Sequence, residues 1–310
     1  MKVYVNLAFL ENLFLYEEQT DRHFYIKNLL KSSRSNVEVI VDVDIDEAYN
    51  DPAKRDVKTL LRQITQNITA SDFTFSTACQ NQAFHETGEP RLFFIDGLSL
   101  TIDEQFGCFY VSTDCLEKAD FLFYAEELRI DRIQRDWSIL NKVKHPCNAL
   151  VLTDNYLFSN DTNLENIKSI CANLMPSSLA EGFRFDITLI GYDSKNDFRP
   201  IQGQYDNLMT YFKTTFPYPV NLTIIREAYH DRYVFTNYYR IASGKGFALF
   251  KNGRLSGNDE TTLNCKSLAY EGRLSSTYQT RNEELLKCQK INQAERVKER
   301  LAGSRINRLL

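Results

Sequence analysis

Three runs, Ala149-Leu150-Val151-Leu152-Thr153, Phe185-Asp186-Ile187-Thr188-Leu189-Ile190 and Val220-Asn221-Leu222-Thr223-Ile224-Ile225, are separated by two stretches of helical period. In the first of these, residues 162–174, the side chains of Leu164, Ile167, Ile170 and Leu174 fall on one face, with a cap expected at Asp161 or Thr162. The second, residues 203–215, stops before Pro217 and Pro219. Two further strands are expected at His230–Asn237 and Arg240–Phe250. A chain that alternates strand and helix in this way must cross over between strands, and right-handed crossovers leave the strands parallel. The order β-α-β-α-β-β-β therefore predicts an α/β fold with a mixed sheet, mostly parallel, with an antiparallel edge. Sites in such sheets gather beyond the strand C-termini, where Asp154 and Tyr156 follow the first run.

The segment from Tyr229 to Phe247 concentrates the chemically capable side chains. On a regular strand His230 and Arg232, two positions apart, share a face. An imidazole can donate a proton or attack phosphorus, and a guanidinium holds two oxygens in a planar fork. The turn Gly244-Lys245-Gly246 adds a second cation, and its glycines allow backbone to approach an anion. Asp231 and Asn237 fall on the opposite parity, and Asp231 is expected to be a structural acceptor, with Arg240 as its partner.

The order His230, Asp231, Arg232, Val234, Asn237, Tyr239, Ile241, Gly244, Gly246, Phe247 resembles the His-Asp-Arg strand pair of phospholipase D-like domains. The likeness is to the divergent branch found at the C-termini of MIT-domain proteins and in bacterial relatives. The sequence Asp154-Asn155-Tyr156-Leu157-Phe158 resembles the first strand end of that branch, so the resemblance covers roughly residues 146–256. It implies a catalytic set in which His230 stands at the nucleophile, Arg232 at the phosphate-binding lysine and Asn237 at the aspartate. It also implies phosphate binding by Arg232, Lys245, Gly244 and Gly246, supported by Asp154, Tyr156 and Asp231. Arginine keeps the positive charge at its position, whereas asparagine supplies no negative one. Chemistry in the superfamily pairs two histidines. Neither His23 nor His85 is followed by Lys or Arg two positions on, so a second His230 would have to come from a homodimer.

At 310 residues the chain can build two cores. Its net charge of −4 excludes a protein that coats nucleic acid with its whole surface, so any polyanion contact is local. The seven cysteines are scattered, with no CxxC spacing, and neither a metal nor a cofactor is expected. No apolar run approaches the roughly 20 residues that span a bilayer, and nothing reads as a signal peptide. These features place the chain in a reducing cytoplasm.

Residues 1–145 read as an N-terminal α/β region of unassigned role. Strands are expected at 2–10, 37–46, 91–96 and from 108, and helices at roughly 14–34, 54–68 and 125–141. In the second strand Asp42, Asp44 and Asp46 would share one face, either a solvated surface or a divalent-cation site. Asp42, Asp96 and Asp114, each near the end of an apolar run, admit a degenerate PIN-like nuclease as a further alternative. His85 is expected in a loop. Residues 257–310 read as a polar wrap-around segment followed by a basic helix, or helix pair, broken at Gly303, which a protein partner or polyanion could use.

The function expected is phosphodiester binding, with nucleic acid as the ligand, and the bacterial relatives imply an accessory or antiviral defence role. Turnover is not expected. The alternatives are an active homodimeric, metal-independent phosphodiesterase or nuclease using His230, and a non-catalytic dimerisation or interaction module.

Overall fold

The computed structural model describes residues 1–15, 19–31, 37–64, 67–98, 102–123, 125–159, 161–192, 201–256, 260–270 and 277–310. The chain divides into two compact units, Met1–Asp103 with Cys108–Tyr124, and Glu104–Gly107 with Ala125–Leu310. The boundary read from sequence near residue 145 falls inside the second unit, as does the one near 256.

The first unit holds five strands, β1 (Lys2–Val5), β2 (Glu38–Val41), β3 (Ile68–Ala70), β4 (Arg91–Phe94) and β5 (Phe109–Val111), in the order β3-β2-β1-β4-β5. All four pairings are parallel. β1 is four residues long and ends at Val5, not at residue 10, because Asn6 caps a helix, Leu7–Leu15, by accepting the N–H of Phe9 at 3.0 Å. The expected strand over 37–46 is likewise short. Asp44 accepts the N–H of Glu47 at 2.9 Å and starts the helix Ile45–Asn50. An alternating apolar-acidic run was thus half strand and half helix start. His85 ends a short helix, Gln82–His85, and is buried. The helix read over 14–34 is split into Leu7–Leu15 and Asp21–Lys31, and its positions 16–18 and 32–36 lie outside the described residues.

The second unit holds an eight-stranded sheet. Its strands are β6 (Ala125–Ile130), β7 (Ala149–Thr153), β8 (Phe185–Gly191), β9 (Val220–Arg226), β10 (Tyr233–Thr236), β11 (Tyr239–Ser243), β14 (Thr261–Ser267) and β15 (Leu301–Gly303). A separate ribbon pairs β12 (Phe250–Lys251) with β13 (Arg254–Leu255). The order is β15-β9-β8-β7-β10-β11-β14-β6, parallel through β7, β8 and β9 and antiparallel elsewhere. With helices Asp161–Leu174 and Ile201–Thr215 as crossovers, the strand-helix order is the one read from sequence, and the fold is α/β. Only two of the seven pairings are parallel, however, so the sheet is mostly antiparallel where a mostly parallel one was expected. Hairpin returns and the late strands add on both sides of the crossover strands.

Residues Ala149, Val151, Phe235 and Tyr233 share one face of β7 and β10, where Leu285 and Cys288 of the helix Thr277–Gln293 pack on them. By alternation Val234 lies on the other face. The first crossover helix buries Leu164, Ile167, Ile170, Cys171 and Leu174, the spacing of a one-sided helix.

Three further expectations fail in this unit. Residues 125–141 contain a strand and a 3-10 turn, Trp137–Val143, in place of an amphipathic helix. Leu128 and Ile130 are buried at a spacing of two, while Ile133 is 79% exposed. The C-terminal basic segment is one helix, Thr277–Gln293, followed by a 3-10 turn, Glu295–Arg300, and an edge strand ending at Gly303. The wrap-around segment contains β14. Its positions Gly257, Asn258, Asp259, Ser275 and Ser276 lie outside the described residues.

Candidate anion-binding cleft

The C-terminal ends of β7, β8 and β9, the start of β10 and the end of β11 lie on one rim of the sheet, because β10 and β11 run antiparallel to their neighbours. Thr153, the last residue of β7, donates its hydroxyl to the carbonyl of Asp231 at 2.9 Å and accepts the N–H of Tyr233 at 3.1 Å. These bonds pin the bend before β10 and fix where Arg232 leaves the backbone.

Asp154 is 1% exposed. Its Oδ1 accepts the N–H of Tyr156 at 3.0 Å, and its Oδ2 accepts the N–H of Phe247 at 2.6 Å. Burial pushes its pKa upward, while the two N–H groups and the charge of Arg232 pull it down. Hydrogen bonds to a charged acceptor contribute about 1.5–3 kcal/mol each, which offsets the burial of the carboxylate in part, the net shift remaining upward. Gly246 has φ +95°, and a Cβ there would overlap Asp154 Oδ2 and stand 3.3 Å from Arg232 Cδ. Packing on the carboxylate is therefore a reason for glycine at 246 in addition to the one read from sequence. Its N–H donates to Ser243 Oγ at 3.0 Å, and Ser243 Oγ donates to the carbonyl of Gly246 at 2.7 Å, so residues 243–247 form a cinched loop.

Arg232 donates Nη1–H to the carbonyl of Gly244 at 2.7 Å. Its Nε is buried without a hydrogen-bond partner among the described residues. Together with Lys245, Gly244, Tyr156, Ser159 and Asn163 it lines a cleft of about 460 Å³, completed by Ala248 and Leu249. Lys245 and Gly244 are exposed there, and Tyr156 is 43% exposed.

His230 is placed differently from the strand reading. β10 begins only at Tyr233, so His230 sits in the preceding bend, exposed, and is not among the residues that line the cleft. The alternation that would have paired it with Arg232 does not apply there. Asn237 lies beyond the far end of β10, five residues or about 16 Å of extended chain from Arg232. It is buried, its Oδ1 accepts the N–H groups of Asn148 (2.9 Å) and Ala149 (3.1 Å), and its Nδ2 donates to Asn148 Oδ1 at 2.9 Å. Asp231 is exposed and its charge acts on Tyr233 and Lys287, while Arg240 lies over the ring of Tyr233.

Sequence reading missed Ser159 and Asn163. Asn163 donates to the carbonyl of Tyr156 at 2.6 Å and to Ser159 Oγ at 2.8 Å, contacts that no local motif announces. The side chains of Asp161 and Thr162, the expected caps, lie outside the described residues.

In the first unit the carboxylates at the strand ends have structural duties. Asp96 accepts from Thr113 N (2.7 Å), Thr113 Oγ1 (2.5 Å) and Asn12 Nδ2 (2.8 Å), and Asp42 accepts the N–H of Leu7 at 2.9 Å. Among the described residues no group of three or more His, Cys, Asp or Glu side chains is arranged to hold a metal ion. Asp42, Asp44 and Asp46 do not share a strand face. No helix of the described residues is long and apolar enough to cross a membrane.

Fold and site together define an α/β protein with an open, cation-bearing cleft at the rim of its larger sheet. No family model matches the chain, and no curated protein matches it. Among solved structures it is similar to the phosphatidylserine synthase of Haemophilus influenzae Rd KW20, at 12% identity and a TM-score of 0.30. That alignment covers 58% of this chain and 40% of the synthase, so the chain spans less than half the length of the protein it matches.

Proposed function

We propose that the second unit is a phospholipase D-like domain that binds a phosphodiester in nucleic acid and does not hydrolyse it. The observation that carries this reading is the setting of Arg232. Its guanidinium donates to the Gly244 carbonyl, its charge acts on the buried Asp154, and it lines a polar cleft together with Lys245. With Nε buried and one Nη1–H on Gly244, the other Nη donors remain to meet phosphate oxygens, and Lys245 adds a point charge. With a net charge of −4 on the chain, polyanion binding depends on a local cationic patch such as this cleft. Hydrolysis finds less support. His230 lies outside the cleft, and Asn237 lies at the other end of its strand.

The test is fluorescence anisotropy with labelled 12-nucleotide DNA and RNA at low salt, on the wild type and on Arg232→Ala and Lys245→Ala proteins shown to be folded by circular dichroism. A charge-assisted contact is worth about 1.5–3 kcal/mol, so Arg232→Ala should weaken binding by about tenfold or more. Unchanged affinity in folded Arg232→Ala protein would overturn the reading. Metal-independent cleavage lost in His230→Ala would replace it with the homodimeric enzyme.

A further inference from the structure

Tyr156 is exposed, and among the described residues of the second unit it is the exposed aromatic side chain, the other large exposed apolar groups there being Ile133, Leu286 and Ile306. It lines the same cleft as Arg232 and Lys245. Exposure of a tyrosine by itself means little, but the backbone of this one is fixed on both sides. Its N–H is held by Asp154 Oδ1 at 3.0 Å. Its carbonyl accepts from Ser159 N at 3.3 Å, Ser159 Oγ at 3.0 Å and Asn163 Nδ2 at 2.6 Å. Asp154 therefore holds two things with its two oxygens, the loop that carries Lys245 and the residue that carries the ring.

We infer that Tyr156 is a stacking platform for an unpaired base, which makes the ligand of the cleft single-stranded nucleic acid. The inference rests on the anion-binding reading of Arg232 and Lys245 and adds the neighbouring nucleoside to it. Proteins that bind single strands combine cations along the backbone path with aromatic faces for the bases. In a duplex both faces of each base are covered by its neighbours, so an aromatic ring beside a phosphate site finds a partner only on an extruded or unpaired base. A lipid headgroup brings the phosphate without an aromatic plane, and the residues that complete the cleft, Ala248 and Leu249, are partly or fully buried, so among the described residues the cleft lining offers no exposed aliphatic side chain for a membrane to take up. The volume, about 460 Å³, is in the range of small-ligand clefts and suits a nucleotide unit.

The experiment compares a labelled 12-nucleotide strand with an abasic strand of the same backbone, on the wild type, Tyr156→Ala, Tyr156→Phe and Arg232→Ala. Tyr156→Ala should weaken the intact strand by about tenfold or more and leave the abasic strand within twofold, and Tyr156→Phe should bind the intact strand like the wild type. A strand carrying 2-aminopurine should be quenched by the wild type and Tyr156→Phe but not by Tyr156→Ala. Equal affinity of Tyr156→Ala and wild type for the intact strand, or equal loss on both strands, overturns the inference. If Arg232→Ala still weakens the abasic strand in that case, the anion site stands and the stacking alone fails. If Arg232→Ala changes neither strand, the anion site fails too. Tighter binding to phosphatidylserine vesicles than to the strand would also overturn it.

Discussion

Asp154 Oδ2 accepts the backbone N–H of Phe247 at 2.6 Å across 93 residues of sequence. That one bond closes the Gly-Lys-Gly loop onto the end of β7. The same carboxylate lies close enough to Arg232 for the guanidinium to act on its pKa. The cleft is thus built around a buried anion whose surroundings leave little room for change, and Gly246 is where the fit is tightest.

Gly246→Ala should destabilise the second unit by about 1–3 kcal/mol, combining a positive φ with overlap on the carboxylate. Gly244→Ala supplies the control. Its Cβ would meet only Thr261 Oγ1, at 3.5 Å, so its stability should stay within about 0.5 kcal/mol of the wild type. Urea unfolding of both variants checks the pair, and equal effects would show that the Asp154 fit is not what selects glycine.

Salt should separate charge from stacking. Each cation removed from a single-strand site lowers the slope of log affinity against log salt by about 0.7. Arg232→Ala and Lys245→Ala should each show that drop, while Tyr156→Ala should lose affinity with its slope unchanged. Titrations at four or more salt concentrations measure this directly.

His230→Ala should bind the strand within twofold of the wild type, since the imidazole does not line the cleft. The wild type should show no cleavage in EDTA and trap no phosphohistidine. Should it cleave, solution mass would then say whether two copies are needed, as a single histidine motif requires.

Acid should weaken both units through buried neutral histidines. His145 is held between the carbonyl of Val143 and the hydroxyl of Thr236, both at 2.7 Å, and burial pushes its pKa down to about 4. His85 of the first unit, between the carbonyl of Cys79 and the thiol of Cys108, is pushed down to about 4 by the same cause. A histidine whose folded pKa lies below its unfolded value near 6.5 binds fewer protons when folded. Its contribution is complete above pH 6.5 and is lost as pH falls toward 4, by up to about 3 kcal/mol each. Asp154, raised by burial, runs the other way, with its contribution lost as pH rises through its folded pKa. Urea melts at pH 7 and pH 5 should show the net loss, and His145→Gln should lose less between the two.

The second sheet was legible because its signals are local. Apolar runs, the second of them stopped by Gly191, mark β7, β8 and β9, and helical spacing, ended before Pro217 and Pro219 in the second helix, marks the crossovers between them. β6 was not, since its partner β14 lies more than 130 residues away, and Leu128 and Ile130 with Ile133 fit a helical period as well as an alternating one. In the first unit Asn6 and Asp44 cut strands short with side chains that look like ordinary members of the pattern. At the cleft, Asp154 could be read from the strand-end rule. The roles of Ser159 and Asn163 depend on where the carbonyl of Tyr156 points, which no spacing encodes.

Asn237 tests how far a motif position can be trusted without its geometry. Its side chain satisfies Asn148 N–H, Ala149 N–H and Asn148 Oδ1 at the start of β7, all buried. Replacing it with alanine leaves two donors and an acceptor unpaired, at about 1–3 kcal/mol for each group that water cannot reach, so Asn237→Ala should cost about 3 kcal/mol or more in urea unfolding. Asn237→Asp keeps both acceptor bonds and loses the donor to Asn148 Oδ1, so it should be destabilised as well. Neither variant, measured at low urea where it is folded, should change affinity for the strand, because five residues, about 16 Å of extended chain, separate the residue from Arg232. A variant that keeps its stability but loses binding or turnover would return Asn237 to the site that the motif assigns it.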